Sequence, residues 1–246
     1  MAEKVIPVKN HILAALPRGE YARLRAHLEP VTLAQGEALY KSGDAIQHVY
    51  FPEAAVVSLV THMRDGATIE VALIGRDGMV GIPVLLGDDI AFEAAVVQVA
   101  GGALRLETSV LKERLKRSRN PLLVQLLLYT RALMKQVAQT AACNGRHTVE
   151  KRLARWLLMC RDRVDSDDLQ LTQEFVSDML GMRRAGVSDA AMRLQEEGFI
   201  RLSRDRISIV KREGLEEFVC ECYGAVKDDY NRRSADERQT AATHVS

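Results

Sequence analysis

The 246-residue chain lacks any apolar run near the roughly 20 residues that a membrane-spanning helix requires, and its first stretch, MAEKVIPVKNHILAALPRGE, has no apolar core of the signal-peptide kind. These absences set aside a membrane partner and point to a cytoplasmic chain. Cysteine is scarce too. Cys143, Cys160, Cys220 and Cys222 include no CxxC pair, which fits reduced intracellular thiols and excludes a disulfide scaffold. Cys220-x-Cys222 has the look of half a metal site but, without a matching pair, reads as incidental, and Cys143 is either a small buried thiol or a redox sensor. His48 and His62 stand alone, without the His-x-His company of a cupin-like metal site, and as solitary strand histidines they do not make a haem site. No metal and no cofactor is therefore expected. No nucleophile–base pairing, metal triad or phosphate loop appears, so the chain does not read as an enzyme. It also has no low-complexity segment and no internal repeat. The formal net charge is only +1, too little for bulk electrostatic binding of nucleic acid, so any such contact has to be local.

What is present concentrates in residues 171–200, LTQEFVSDMLGMRRAGVSDAAMRLQEEGFI. Thr172 is placed to cap a helix, with Glu174 in its first turn, where negative charge is favoured. Phe175, Val176, Met179 and Leu180 recur at helical spacing, and Gly181 suits a left-handed C-terminal cap. A second helix starts near Arg183–Arg184 and carries Val187, Ala190, Ala191 and Leu194 on one face, until Gly198 stops it. The two alanines allow the close crossing of a helix-turn-helix. The opposite face holds Arg184, Ala185, Ser188, Asp189 and Met192, at the end that meets base edges when such a helix enters a major groove. Ile200 and Leu202, then Ile207 and Ile209, alternate about a polar turn, a two-stranded wing offering Arg201, Arg204 and Arg206 to phosphates. The expected contacts to double-stranded DNA are Thr172, Arg183, Arg184, Ala185, Ser188, Asp189, Arg193, Arg204 and Arg206.

Upstream, residues 8–28 read as helical, with Pro17 at a helix start. From Val31 the period changes to short strands: Leu39-Tyr40, Val49–Phe51, Val56–Met63, Thr68–Ile74, Ala94–Ala100 and Ala103–Leu106, punctuated by Arg64-Asp65-Gly66, Arg76-Asp77-Gly78 and regularly spaced glycines. That is the pattern of a double-sheet jelly roll. A short helix over 107–118 follows. Pro121 then opens a long helix in which Leu126, Thr130, Leu133, Val137, Thr140 and Asn144 fall four and three apart, a coiled-coil seam expected to pair two copies. Asn144-Gly145 is the expected break and hinge. His147–Arg163 resumes a helix, with Leu153, Trp156, Leu157 and Cys160 on one side and Arg152, Arg155, Arg161 and Arg163 elsewhere; residues 165–168 form a polar loop. Gly214–Arg232 reads as an extra helix and Ser234–Ser246 as a frayed tail. The expected class is α+β: an N-terminal double-stranded β-helix (jelly roll) over 1–118, a dimerisation helix and hinge over 119–145, a winged helix-turn-helix over 146–215, and a C-terminal helix and tail over 216–246.

That order resembles the Crp/Fnr family of bacterial transcription regulators. The resemblance rests on LPRGEYARLRAHLEPVTLAQGEALYKSGD (16–44), VEKRLARWLLM (149–159) and residues 171–200. It implies a homodimer on a two-fold DNA site, RNA polymerase as a further partner and a small-molecule effector in the β-roll. Cyclic-nucleotide-binding members hold their ligand with a Gly-Glu-Leu-Gly stretch and an Arg-Ser-Ala stretch. Here the matching residues are Gly81-Ile82-Pro83-Val84 and Phe92-Glu93-Ala94, and the hydroxyl pair of the dimer helix becomes Val137 and Ala138. Isoleucine cannot accept a ribose hydroxyl, and phenylalanine cannot neutralise a phosphate. No arginine stands between Arg76 and Arg105 to replace the missing one. Ile82, Phe92, Val137 and Ala138 are therefore the candidate lining of an effector pocket that does not take cyclic AMP in the usual manner. The iron–sulfur members carry an N-terminal cysteine cluster, which this chain lacks, its first cysteine being Cys143. Of the base-reading Arg-Glu…Arg set, Arg184 remains, while Ala185 and Asp189 replace the others, so the operator is expected to differ.

Overall fold

Asn10 starts the first helix, α1 (His11–Ala14), its side-chain oxygen accepting from Leu13 N. Its amide donates to Pro52 O at 3.0 Å and Gly78 O at 2.8 Å, which pins the helix to the β-structure that follows. The computed structural model describes residues 8–116, 120–164 and 166–230. Pro17 caps α2 (Arg18–Arg25), the position at which its missing N–H does least harm. Seven strands follow: β1 (Glu29–Leu33), β2 (Ala38–Tyr40), β3 (His48–Pro52), β4 (Val56–His62), β5 (Thr68–Ile74), β6 (Ala94–Val99) and β7 (Gly101–Glu107). They form two antiparallel sheets, ordered β1-β7-β3 and β2-β6-β4-β5, the jelly roll expected from the strand and turn pattern. Leu33, Val49, Phe51, Val57, Leu59, Ile74, Val97 and Leu106 fill the space between them.

After α3 (Thr108–Leu115), Asn120 caps the long helix α4 (Pro121–Arg146), accepting from Leu122 N and Leu123 N. Here two expectations need correction. The helix runs through Asn144-Gly145 instead of breaking there. His147 N still bonds Cys143 O at 3.0 Å, Gly145 is tolerated on an exposed face, and the chain turns extended only at His147 and Thr148. The expected pairing seam is also largely taken up within the chain. Leu126, Thr130, Leu133 and Thr140 are buried within the chain, Leu126 and Leu133 inside the β-roll core. Val137 of the expected seam stays exposed, as do Leu128 and Ala142; a further exposed set is Val124, Leu127, Met134, Ala138, Ala141 and Gly145, with Arg131 among them. They repeat the three-and-four spacing one residue on, about 100° further around the helix. Two apolar stripes share α4, and the bulkier one fills the chain's own core.

α5 (Val149–Arg161) lies on the outer face of the four-stranded sheet, where Val56, Val60, Leu73 and Ala94 join Leu153, Trp156, Leu157 and Cys160 in a second core. Arg152, Arg155 and Arg163, read from the sequence as lying off the apolar side, are buried here. Each is held by polar partners that offset its desolvation. Arg152 donates to Leu180 O, Arg155 to Thr140 Oγ1 at 3.2 Å, and Arg163 to Met159 O at 3.0 Å and to Asp77 Oδ2 at 2.8 Å. The last of these ties the turn after β5 to the end of α5. The remainder consists of β8 (Asp168–Leu169), α6 (Gln173–Leu180), α7 (Arg184–Glu196), β9 (Ile200–Leu202), β10 (Ile207–Ile209) and α8 (Arg212–Phe218), with a further helical stretch at 221–230. The wing is a sheet ordered β8-β10-β9 and not a bare hairpin, because Leu169 pairs with Ile207. Asp168, expected in a polar loop, therefore belongs to a strand. The expected helix over Gly214–Arg232 is interrupted at Val219-Cys220, and Leu215, Tyr223 and Val226 share the core of α5 and α7. The expected tail, Ser234–Ser246, lies outside the described residues.

Candidate nucleic-acid interface and effector pocket

The helix-turn-helix is built by caps at both ends of α6. Thr172 Oγ1 accepts from Phe175 N at 3.2 Å, and Gly181, at φ 61°, closes the helix in the left-handed region. A side chain at Gly181 would meet Ile69 Cγ1 at 2.7 Å, so the turn between α6 and α7 presses on β5 and needs glycine twice over. Val187, Ala190, Ala191 and Leu194 are each about 1% exposed and seat α7 against α5 and α6. The opposite face is open: Arg183, Arg184, Ala185, Asp189 and Met192 are exposed and Ser188 is half-buried.

The expected contact residues separate on inspection. Arg183, Arg184, Ala185 and Asp189 stand together at the open start of α7, and Arg204 is exposed in the wing turn. Ser188 Oγ donates to Gln173 Oε1 at 2.7 Å, which orients Gln173 on the same face, a residue the sequence reading passed over. Thr172 spends its side chain as a helix cap. Arg193 is bound to Glu150 on α5, on the flank of the helix, and Arg206 lies 3.5 Å from Asp168 Oδ2 within the wing.

The effector candidates do converge. Ile82, Phe92, Val137 and Ala138 line one cavity of about 550 Å³, together with Leu59, Val71, Leu86, Leu133 and Met134. Its polar lining is Thr61, Thr130 and Glu93; no Lys, Arg or His is among the lining residues. Ile82 opens a short 3₁₀ turn, Ile82–Leu86, between Gly81 and Gly87. Glu93 is 5% exposed and its Oε2 has no hydrogen-bond partner. Burial raises its carboxyl to about 7, so near neutrality it is held part-protonated as a donor inside an apolar wall. The far wall is α4, which brings anything bound there against the helix carrying the exposed stripe.

Residues 30–118 match the family model of the cyclic nucleotide-binding domain, and residues 151–218 that of the Crp-like helix-turn-helix domain. Among solved structures, the chain is similar to FixK2 from Bradyrhizobium japonicum, at 18% identity over 78% of this chain and 98% of that one, with a TM-score of 0.67. It is similar also to the c-di-GMP responsive global regulator CLP of Xanthomonas campestris, at 14% identity over 78% and 99% of the two chains, TM-score 0.64. A third is the CRP-family transcriptional regulator TTHB099 of Thermus thermophilus, at 21% identity over 76% and 95%, TM-score 0.63. At these identities the likeness is one of fold. No curated protein matches the chain.

Proposed function

The chain belongs to the Crp/Fnr family of transcription regulators, and from that premise we propose that two copies, paired along α4, bind a two-fold operator with α7 of each in a major groove. The carrying observation is the open start of α7, where Arg184 stands exposed beside Ala185 and Asp189 while the helix's other face is fully buried. An arginine there suits bidentate contact to a guanine edge, and Asp189 suits a cytosine amino group. Pairing is supported by the exposed stripe of α4, with Val124 55%, Leu127 52% and Met134 68% exposed. Apolar side chains at that spacing gain by burial against a second copy of the same helix.

The effector in this reading is not a cyclic nucleotide. A cyclic phosphate in the cavity would meet Phe92 and the Glu93 carboxyl, with no cation among the lining residues to balance its charge. The lining suits a small apolar molecule with one polar group facing Glu93. Its contact with Met134, Val137 and Ala138 would couple occupancy to the packing of α4, and so to the spacing of the two recognition helices, by a shift of population between arrangements.

Recovery of genomic DNA fragments on the purified protein tests the reading: it is expected to return a two-fold motif with half-site centres about 34 Å apart. Arg184→Ala should weaken binding by about 1–3 kcal/mol and relax one base position in each half-site. Unchanged affinity would remove α7 from the interface and favour a winged helix that contacts protein.

A further inference from the structure

Four side chains outside the interface and the pocket converge where α4 gives way to α5. Cys143 is on the last turn of α4, His147 follows its end, and Cys220 and Cys222 flank the step from α8 into 221–230. One ligand atom from each, three sulfurs and a ring nitrogen, all lie within 4.8 Å of one another. Cys143 Sγ and Cys220 Sγ are 3.7 Å apart, and Cys222 Sγ and His147 Nδ1 are 3.6 Å apart. A tetrahedral zinc ion with Zn–S of about 2.3 Å and Zn–N of about 2.0–2.1 Å sets its ligand atoms about 3.8 Å apart for S···S and about 3.6 Å for S···N. These two separations match two edges of such a shell, and the remaining ligand atoms lie within 4.8 Å. A disulfide would need its sulfurs at about 2.05 Å, and an iron–sulfur cluster would spread its cysteines across several metal atoms.

The surroundings are those of a ligand set. His147 Nε2 lies 3.4 Å from Glu221 Oε2, so an Nε2–H donating to that carboxylate leaves the Nδ1 lone pair facing the sulfurs. Gln139 Nε2 donates to Cys222 Sγ at 3.1 Å and so holds that sulfur in place. The three cysteines are buried. Three thiolates around a divalent ion carry a net negative charge. The buried guanidinium groups of Arg152 and Arg155 lie close enough to interact with Cys143, and each keeps its Nε without a hydrogen-bond partner.

We propose that Cys143, His147, Cys220 and Cys222 form a closed Cys₃His site for one thiophilic divalent cation, zinc above others, which staples the helical segment after α8 to the end of α4. The Cys220-x-Cys222 pair, incidental in the sequence, finds its missing half 77 residues upstream. On binding, three metal–sulfur bonds and one metal–nitrogen bond form, the thiol protons leave to solvent, and no electron is exchanged. Four protein ligands leave no open position, so the site is structural. It crosses the joint between α4 and α5, and its loss would loosen the DNA-binding half while leaving the β-roll intact.

The test is the metal content of the full chain, purified under reducing conditions and desalted. One zinc per chain is expected by mass spectrometry of the elements. Cobalt added to the stripped protein should give the intense visible bands of tetrahedral, sulfur-rich coordination. Cys222→Ser and His147→Ala should lose the metal, Glu221→Gln should weaken it by about tenfold, and Cys160→Ser, a buried thiol elsewhere, should keep it. Should the ligand variants fail to fold, wild-type stoichiometry and the cobalt spectrum decide alone. Absence of metal after incubation with zinc, a pale octahedral cobalt spectrum, or a Cys143–Cys220 disulfide in place of the metal would each overturn the proposal. None of these readouts depends on DNA binding.

Discussion

Replacing Glu70 with glutamine tests whether the β-roll and the DNA-binding half dock through a neutral carboxylic acid. Glu70 is on β5, and its Oε1 accepts from Trp156 Nε1 on α5 at 3.1 Å. Its Oε2 is 2.6 Å from Ser58 Oγ, and Ser58 Oγ also touches Gln98 Oε1. Gln98 spends its amide on Cys160 Sγ at 3.2 Å, so its oxygen is what faces Ser58. Ser58 has one hydrogen for two oxygens. Every bond closes if Glu70 holds a proton on Oε2 and donates it to Ser58, which donates onward to Gln98. Burial raises the Glu70 carboxyl to about 7, against the opposing pull of Ser58, Trp156, Arg155 and Arg163. The folded value lies above the unfolded one, so this contribution is fully present below about pH 4.5 and is lost as pH rises through about 7. The shift corresponds to about 3 kcal/mol at alkaline pH, each unit being about 1.4 kcal/mol. Glutamine cannot ionise, still accepts from Trp156 and still donates to Ser58. Glu70→Gln should therefore exceed the wild type by only about 1 kcal/mol at pH 5 and by about 3 kcal/mol at pH 8.5. Urea titration followed by fluorescence reads this directly, since the chain's single tryptophan, Trp156, sits in the contact. A difference that stays flat from pH 5 to 8.5 would refute the neutral acid. A variant weaker than wild type at pH 8.5 would show a carboxylate held charged by Arg155 and Arg163.

Three further outcomes follow from the packing. Met134→Glu, on the exposed stripe of α4, should leave folding stability near wild type but shift sedimentation toward the monomer, whereas Leu126→Ala, in the core one stripe away, should cost about 2–5 kcal/mol of folding stability. Calorimetric titration with cyclic AMP should give no heat of binding, and micromolar affinity would overturn the assignment of Ile82 and Phe92 as a lost phosphate cassette. Gly78→Ala should lower thermal stability by about 1–3 kcal/mol, because the added methyl would sit 2.4 Å from the buried Tyr129 ring where α4 crosses the turn after β5.

Most of the architecture was legible because it is written locally. The Thr172 cap, the Gly181 stop and the Val187-Ala190-Ala191-Leu194 face are each decided within a dozen residues, and the structure realises all three. The strands were legible for the same reason: turns such as Arg64-Asp65-Gly66 separate them, and β4 pairs with β5 across that turn. Ile82, Phe92, Val137 and Ala138 come from three separate segments, and they were brought to one cavity by the family resemblance, not by any local pattern.

Where local pattern failed, two long-range contacts competed for one signal. On α4, Leu126-Thr130-Leu133 and Leu127-Arg131-Met134 both satisfy a seam, and only the β-roll, which takes the first stripe, decides that the second is the one left exposed. On α5 and just past its end, Arg152, Arg155 and Arg163 read as lying off the apolar side, yet they are buried, because Leu180 O, Thr140 Oγ1 and Asp77 Oδ2 wait for them from other elements. The cysteines are the extreme case. Spacing carries metal-site information only when the ligands share one turn or one hairpin, as in CxxC, where a few residues fix the distance between sulfurs. Here the distance from Cys143 to Cys220 is fixed by packing the segment after α8 back onto the end of α4, across 77 residues of chain. A ligand set assembled that way leaves no motif in the chain, and a metal bound to it would report on the fold that assembled it.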